Sequence, residues 1–234
     1  MPPLNGLESA ASALRYYERK QEVVANNLAN LSTTGFKQQR IFAQLLDGIR
    51  PVARTSSDLA VGTLRQTGSP MDVAIEGDGF FVVSTPAGER YTRGGTVRVD
   101  DKNFLVDSDG NRFLGMKKNE PLKMLDGPVE ITPTGEVRQN GQVVDIIRME
   151  GAPKDGELQR EGHSLWIPPT NDKQVVPIES RRVRQGHLEE SNVNSMSALV
   201  DMVTVQRSFA SVQKAIIEMD RTNETATTQL AKPL

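Results

Sequence analysis

Glycine and proline are spread very unevenly along this chain, and their placement decides what each part can become. Of 19 glycines and 13 prolines in 234 residues, all but Pro2, Pro3, Gly6 and Pro233 fall between Gly35 and Gly186. Stretches 7–34 and 187–232 hold neither. Because both residues destabilise helix interiors, the two clean ends are free to be long helices and the middle is cut into short segments.

The ends carry the matching apolar repeat. Leu7, Leu14, Gln21 and Leu28 recur every seven residues, with Ala10, Tyr17, Val24 and Leu31 three positions on. In the last part Ala198, Met202, Val205, Phe209, Val212, Ile216, Met219, Asn223, Ala226 and Leu230 alternate four and three apart. This is the a/d seam of a coiled coil. The first helix is expected to end near Asn30; the second, over 194–229, makes a rod on the order of 50 Å long.

The middle reads as short strands over 73–83, 91–99, 103–106, 112–115, 129–131, 136–139 and 143–149, with two more at 164–167 and 175–184. They are rich in β-branched and aromatic residues, and Asp107-Ser108-Asp109-Gly110-Asn111 and Gln139-Asn140-Gly141-Gln142 supply turns. Ahead of them Ile41, Phe42, Leu45, Leu46 and Ile49 have a spacing that permits a short helix, and the polar stretch 54–68 reads as an extended linker or a plain loop. The fold class is therefore α+β, an antiparallel β domain inserted between N- and C-terminal coiled-coil-like helices. The expected parts are an N-terminal helix over 1–35, a connector over 36–70, the β domain over 71–185 and a C-terminal helix over 186–234.

Composition narrows the function. With 28 Lys and Arg against 30 Asp and Glu the chain lacks the basic excess that phosphate neutralisation needs, so no nucleic-acid partner is expected. Cysteine is absent, which removes thiolate nucleophiles and cysteine-held metals, and His163 and His187 are too far apart in sequence to make a metal-binding helix motif. No apolar run reaches the ~20 residues of a membrane span, and no basic-then-apolar stretch at the start reads as a cleaved signal peptide. Asp107-x-Asp109-x-Asn111 begins like a calcium loop but has Arg112 and Lys118 where glycine and a bidentate glutamate are required. Gly77-Asp78-Gly79 lacks the third glycine of a dinucleotide fingerprint. No catalytic, cofactor-binding or metal residue is assigned.

One stretch runs against local propensity. Asn26, Asn27 and Asn30 sit in or beside a helix, where Asn costs up to ~0.7 kcal/mol relative to Ala. They face away from the seam and are read as contacts to other chains or as a solvated, fraying end.

Ala25-Asn26-Asn27-Leu28-Ala29-Asn30 followed by Thr34-Gly35-Phe36-Lys37 resembles the N-terminal signature of flagellar basal-body rod and hook proteins. Gly186-His187-Leu188-Glu189-Glu190-Ser191-Asn192-Val193-Asn194, then Met202 and Gln206-Arg207-Ser208-Phe209, resembles the C-terminal one. Between them 66–75, Gly77-Asp78-Gly79-Phe80-Phe81 and Tyr91-Thr92-Arg93 resemble the start of the family's β domain. Ala210 departs from the pattern, which favours an acidic residue there.

The resemblance implies a non-enzymatic subunit of the axial structure, passed unfolded through the flagellar type III export apparatus to a periplasmic rod in the basal body, without cleavage of a signal peptide. Its partners would be copies of itself and other rod and hook proteins, in a helical polymer held by the paired terminal helices. The short approach to Leu64-Arg65-Gln66-Thr67-Gly68 favours a proximal over a distal rod protein. The assembly residues so assigned are Leu7, Leu14, Tyr17, Val24, Asn26, Asn27, Leu28, Asn30, Gly35 and Phe36 at one end. At the other they are Asn192, Val193, Met202, Val205, Gln206, Arg207, Phe209, Val212, Ile216 and Met219. Two other classes stay open on sequence alone: a secreted wall hydrolase dimerised by its helices, and a coiled-coil adhesin or tail-fibre subunit.

Overall fold

A computed structural model describes residues 6–46, 50–152, 158–162, 164–170 and 173–230, with the side chains of 7, 43–46, 50–52 and 226–230 left aside. The chain divides into two compact units. One comprises 1–29, 39–56 and 194–234; the other comprises 30–38 and 57–193.

The first unit holds the two helices, α1 (Gly6–Ala29) and α2 (Ser195–Leu230), which pack against each other. Gly6 lies against Met219. So little of α2 follows Met219 that the 24-residue α1 can pack along its partner only by running antiparallel to it. Asn194 caps α2 by accepting the Ser197 amide proton at 3.0 Å, a favoured use of Asn at a helix start. Of the segment given a helical spacing, Ile41, Phe42, Leu45 and Leu46 lie instead in a strand, Gln39–Leu46, paired with Arg50–Ser57, and Ile49 lies outside the described residues. Its apolar residues fit either period, and a short run of that kind is decided by whether a partner strand is at hand.

The second unit is antiparallel β throughout. Its largest sheet runs Gln159–Glu161, Leu165–Ile167, Gly88–Thr92, Phe80–Thr85, Arg112–Phe113, Leu105–Val106, Arg98–Val99, and Met149–Glu150 adds to Phe80–Thr85. Two three-stranded sheets follow, Val129–Ile131 with Glu136–Gln139 and Gln142–Ile146, and Asp72–Ile75 between Val183–Gln185 and Gly94–Thr96. Finally, Leu64–Gln66 pairs with His187–Glu189, so the expected linker contains a strand whose partner residues are 121 to 125 positions downstream.

Several expected strands are broken. The run 73–83 becomes Asp72–Ile75 and Phe80–Thr85, 91–99 becomes parts of three strands, and 143–149 becomes two. In 175–184 the structure has a bridge at Val175, a single 3-10 turn, Ile178–Ser180, and then Val183–Gln185. Each break lets the chain change sheets, which an uninterrupted strand could not do. The two expected turns form. Asn140 adopts φ 50° between its strands, and the Asp107 carboxylate accepts the amide protons of Asp109 and Asn111.

Strand Phe80–Thr85 organises the core because both of its faces are covered. Alternation sends Phe81 and Val83 into one buried cluster with Phe113, Leu105, Ile75 and Met149, and Phe80 and Val82 into another with Tyr91, Leu114 and Trp166. Phe81 meets Phe113 edge-on at 5.8 Å, and Phe80 stacks on Tyr91 at 5.5 Å. The Tyr91 hydroxyl donates to the buried Glu150 carboxylate, which also receives Arg148; Arg148 and Lys173 both bond Glu89. Burial and the Glu150 hydrogen bond push the Tyr91 hydroxyl above the ordinary phenol range.

Two outcomes follow. Phe81→Ala removes a ring wholly enclosed by the larger cluster, and urea unfolding should show a loss of about 3–5 kcal/mol. Glu89 is held below the usual 4.5: burial alone would raise it, and the hydrogen bonds from Lys173 and Arg148 outweigh that. A depressed carboxylate contributes stability above its unfolded value and loses it as pH falls through the lower folded one. The urea midpoint should therefore decline more steeply below about pH 4.5 in the parent than in Glu89→Gln, by less than ~1 kcal/mol because the pair is partly exposed.

Candidate assembly surface and an ionic clasp

α2 presents two apolar stripes. Along the seam, Ala198 and Val205 are buried, and Met202, Phe209, Val212 and Ile216 are half-buried; Met219 is more exposed beside Gly6. Off the seam, Met196, Leu199, Val200, Val203 and Ile217 remain 47–71% exposed. Met196, Val203, Ala210 and Ile217 repeat every seven residues, so this is a second stripe along the same helix. Gln206 and Arg207 are exposed between its members. On α1, Val24 is buried while Leu14, Tyr17 and Leu28 are half-buried; the Leu7 side chain lies outside the described residues.

The asparagines separate into different roles. Asn27 is buried, its amide donating to the Gln39 carbonyl at 2.8 Å and its Oδ1 accepting the Gln39 amide proton at 2.8 Å. That reciprocal pair imitates a strand contact and anchors the start of Gln39–Leu46. Asn30 is buried too, and its Oδ1 accepts the Thr33 hydroxyl at 3.1 Å as the chain turns after α1. The polar groups of both serve this chain's own turns, so any contact they make with other chains adds to that role. Asn26 alone of the three is exposed.

The chain passes between the two units four times. The parts of the β unit that adjoin those passages, 30–38, 57–63 and 187–193, are bonded to one another. Asn192 holds all three: its Oδ1 accepts the Gln38 amide proton at 2.6 Å, and its amide donates to the Asp58 and Ala60 carbonyls at 2.9 and 3.0 Å. Val193 beside it is buried. Gly35 takes φ +67°, which a side chain would strain, and donates to the Glu189 carbonyl at 2.7 Å. At Gly62 a Cβ would fall 2.0 Å from the Glu190 carbonyl oxygen, so only glycine allows that approach. Phe36 is buried, with the Arg160 guanidinium 4.0 Å above its ring.

At the centre lies a charge cluster whose three members sit one in each of the family-like stretches, though nothing in the sequence joins them. The Glu189 carboxylate, side chain 1% exposed, receives Lys37 Nζ at 2.5 Å and Arg93 Nε at 2.8 Å, whose side chains are 0% and 2% exposed. The Gly62 amide proton reaches the same carboxylate at 2.9 Å, and Lys37 also donates to the Ala60 carbonyl at 2.6 Å. Arg93 is further held by the Ile75 and Gly79 carbonyls. Burial lowers the Lys37 ammonium below the usual lysine range, against the opposing pull of Glu189. These residues position backbone, and every described donor in the cluster has a structural acceptor.

The clasp residues fall in the stretches that matched a known family, and comparison with known proteins gives the same answer along most of the chain. Residues 7–37 match the flagella basal body rod protein family, 74–145 the flagellar hook protein FlgE/F/G D1 domain, and 184–230 the flagellar basal body rod FlgEFG protein C-terminal family. A flagellar basal-body rod protein FlgF of Mesorhizobium japonicum is 31% identical over 88% of this chain and 89% of its own length. That of Caulobacter vibrioides is 30% identical over 97% and 98%. A flagellar basal-body rod protein FlgG of Bacillus subtilis is 28% identical over 93% and 96%. This chain belongs to the flagellar basal-body rod and hook family.

Membership in the rod and hook family makes the chain a structural subunit of the flagellar basal body that assembles with other axial proteins, not an enzyme, and sets aside the hydrolase and adhesin readings. No helix among the described residues is long and apolar enough to cross a membrane. For this rod protein the intrachain role of Asn27 is directly measurable. Asn27→Ala strands two backbone groups of Gln39 and should cost about 1–3 kcal/mol, with faster amide exchange at Gln39.

Proposed function

We propose that this chain is a proximal subunit of the rod, polymerising through its terminal helices into a helical tube that carries torque to the hook and surrounds the export channel. It reaches the periplasm through the flagellar export apparatus without losing a signal peptide. The helices of 1–35 and 186–234 build the inner layers by coiled-coil-like pairing, the β domain of 71–185 faces outward, and 36–70 connects them.

The observation that carries this reading is the second stripe of α2. α1 lies against α2, yet Met196, Leu199, Val200, Val203 and Ile217 stay exposed after it has done so. A lone helix pair with that much apolar surface is suited to neighbours rather than to water. In the polymer, seam residues Phe209 and Ile216 hold the helix pair, while the second stripe and Asn26 meet adjacent subunits.

The test is the critical concentration for assembly, followed by sedimentation and electron microscopy of the concentrated protein. Val203→Glu places a charge on the second stripe without touching the seam. It should leave the circular dichroism of the monomer unchanged and raise the critical concentration at least about tenfold, since completing the burial of a valine is worth on the order of 1 kcal/mol and a carboxylate adds desolvation. An unchanged critical concentration, or discrete dimers in place of tubes, would reject the role of this stripe.

A further inference from the structure

The buried charges of the clasp do not balance. Lys37 and Arg93 are two enclosed cations, and Glu189 is the carboxylate between them. The two cations belong to the first half of the chain. Their counterion comes 152 residues after Lys37 and 96 after Arg93, on the last strand before α2. A chain that has not yet placed residue 189 would have to bury two like charges side by side, held only by backbone carbonyls and by the less buried Asp58 near Lys37. Desolvation and repulsion both oppose that arrangement.

We propose that Glu189 is the closing element of an electrostatic clasp: segments 33–38 and 57–63 stay open until strand His187–Glu189 has been laid down, and this one carboxylate then draws them shut. The bonds around it make the closure concerted. The Glu189 carboxylate accepts from Lys37, Arg93 and the Gly62 amide, its own carbonyl accepts from Gly35, and Asn192 three residues on bonds Gln38, Asp58 and Ala60. Each partner is supplied from 187–193. The device makes the two early segments depend on the end of the β region, so that an incomplete chain cannot order them. It acts within one subunit and does not require the polymer.

Charge counting gives an ordering of variants that simple loss of contacts does not. The parent cluster carries one excess positive charge, Lys37→Met carries none, the double variant Lys37→Met with Glu189→Gln carries one, and Glu189→Gln carries two. Hydrogen exchange on the unassembled full chain reads the amides of Gly35, Gln38, Asp58 and Gly62. Glu189→Gln should lower their protection at least tenfold, while the amides of Phe80–Thr85 and the fluorescence of Trp166, buried in the second core cluster, stay as in the parent. Lys37→Met should cost less than Glu189→Gln, and the double variant should be more protected than Glu189→Gln alone. Pulse labelling of the refolding parent chain addresses the order directly, and holds even where Glu189→Gln fails to fold. The four amides should gain protection in the same phase as Leu188 and Glu189. Protection of 33–38 and 57–63 ahead of 187–189 would overturn the proposal. So would a Lys37→Met variant as open as Glu189→Gln, or a double variant more open than either.

Discussion

A single carboxylate, that of Glu189, carries the junction region of the β unit. It is enclosed, bonded to two cations and a backbone amide, and flanked by Asn192, which bonds the same two segments. Buried ion pairs rarely add net stability over an apolar core of the same shape, but removing one partner costs about 3–5 kcal/mol because the other charge is left stranded. What such a cluster supplies is uniqueness: hydrophobic side chains would tolerate a slipped register between 33–38, 57–63 and 187–193, and a charge with directed donors does not. Gly35 and Gly62 belong to the same argument: Gly35 takes the left-handed turn that aims its amide at the Glu189 carbonyl, and the missing side chain of Gly62 lets its backbone approach Glu190 closely enough for its amide to reach the carboxylate.

The two units are stabilised by different means. The β unit has an enclosed core in two clusters on either face of Phe80–Thr85 and a polar layer, Tyr91–Glu150–Arg148–Glu89, whose members satisfy one another. The helical unit has few fully buried apolar side chains. Val23, Val24, Ala198 and Val205 are enclosed, and much of the remaining apolar surface of α2 is open. Helices of this kind owe their stability chiefly to the packing of an amphipathic face, not to intrinsic propensity. A 37% apolar composition, low for a compact protein of this length, is thus divided between a core that is closed and a stripe that is not.

The sequence made the coarse fold legible and hid the junction, for one physical reason. Helices and their seams are periodic, so the Gly- and Pro-free ends with four-and-three spacing were readable within a window of a few turns. The turns at Asp107–Asn111 and Asn140-Gly141 were readable because their chemistry is local. Long-range pairing leaves no such trace. Nothing near Gln39 says that Asn27 will bond it, nothing in 54–68 says that Leu64–Gln66 will find His187–Glu189, and the apparent helical spacing of 41–46 is equally a strand once Arg50–Ser57 lies beside it. Lys37, Arg93 and Glu189 stand in three separate family-like stretches, none of which says that its charge is buried against the others. Only their convergence shows it.

That contrast bears on why Asn26 and Asn27, adjacent and identical, diverge. On a helix, neighbouring residues point about 100° apart, so one of the pair faces strand Gln39–Leu46 and the other faces out. A carboxamide is well suited to the inner position because it matches a peptide group in size and carries one donor and one acceptor face, and Asn27 uses both on Gln39. The helix-propensity cost of an interior Asn, up to ~0.7 kcal/mol, is smaller than the cost of leaving two part-buried backbone groups of Gln39 unpaired, about 1–3 kcal/mol together. The balance favours Asn at 27 within the single chain.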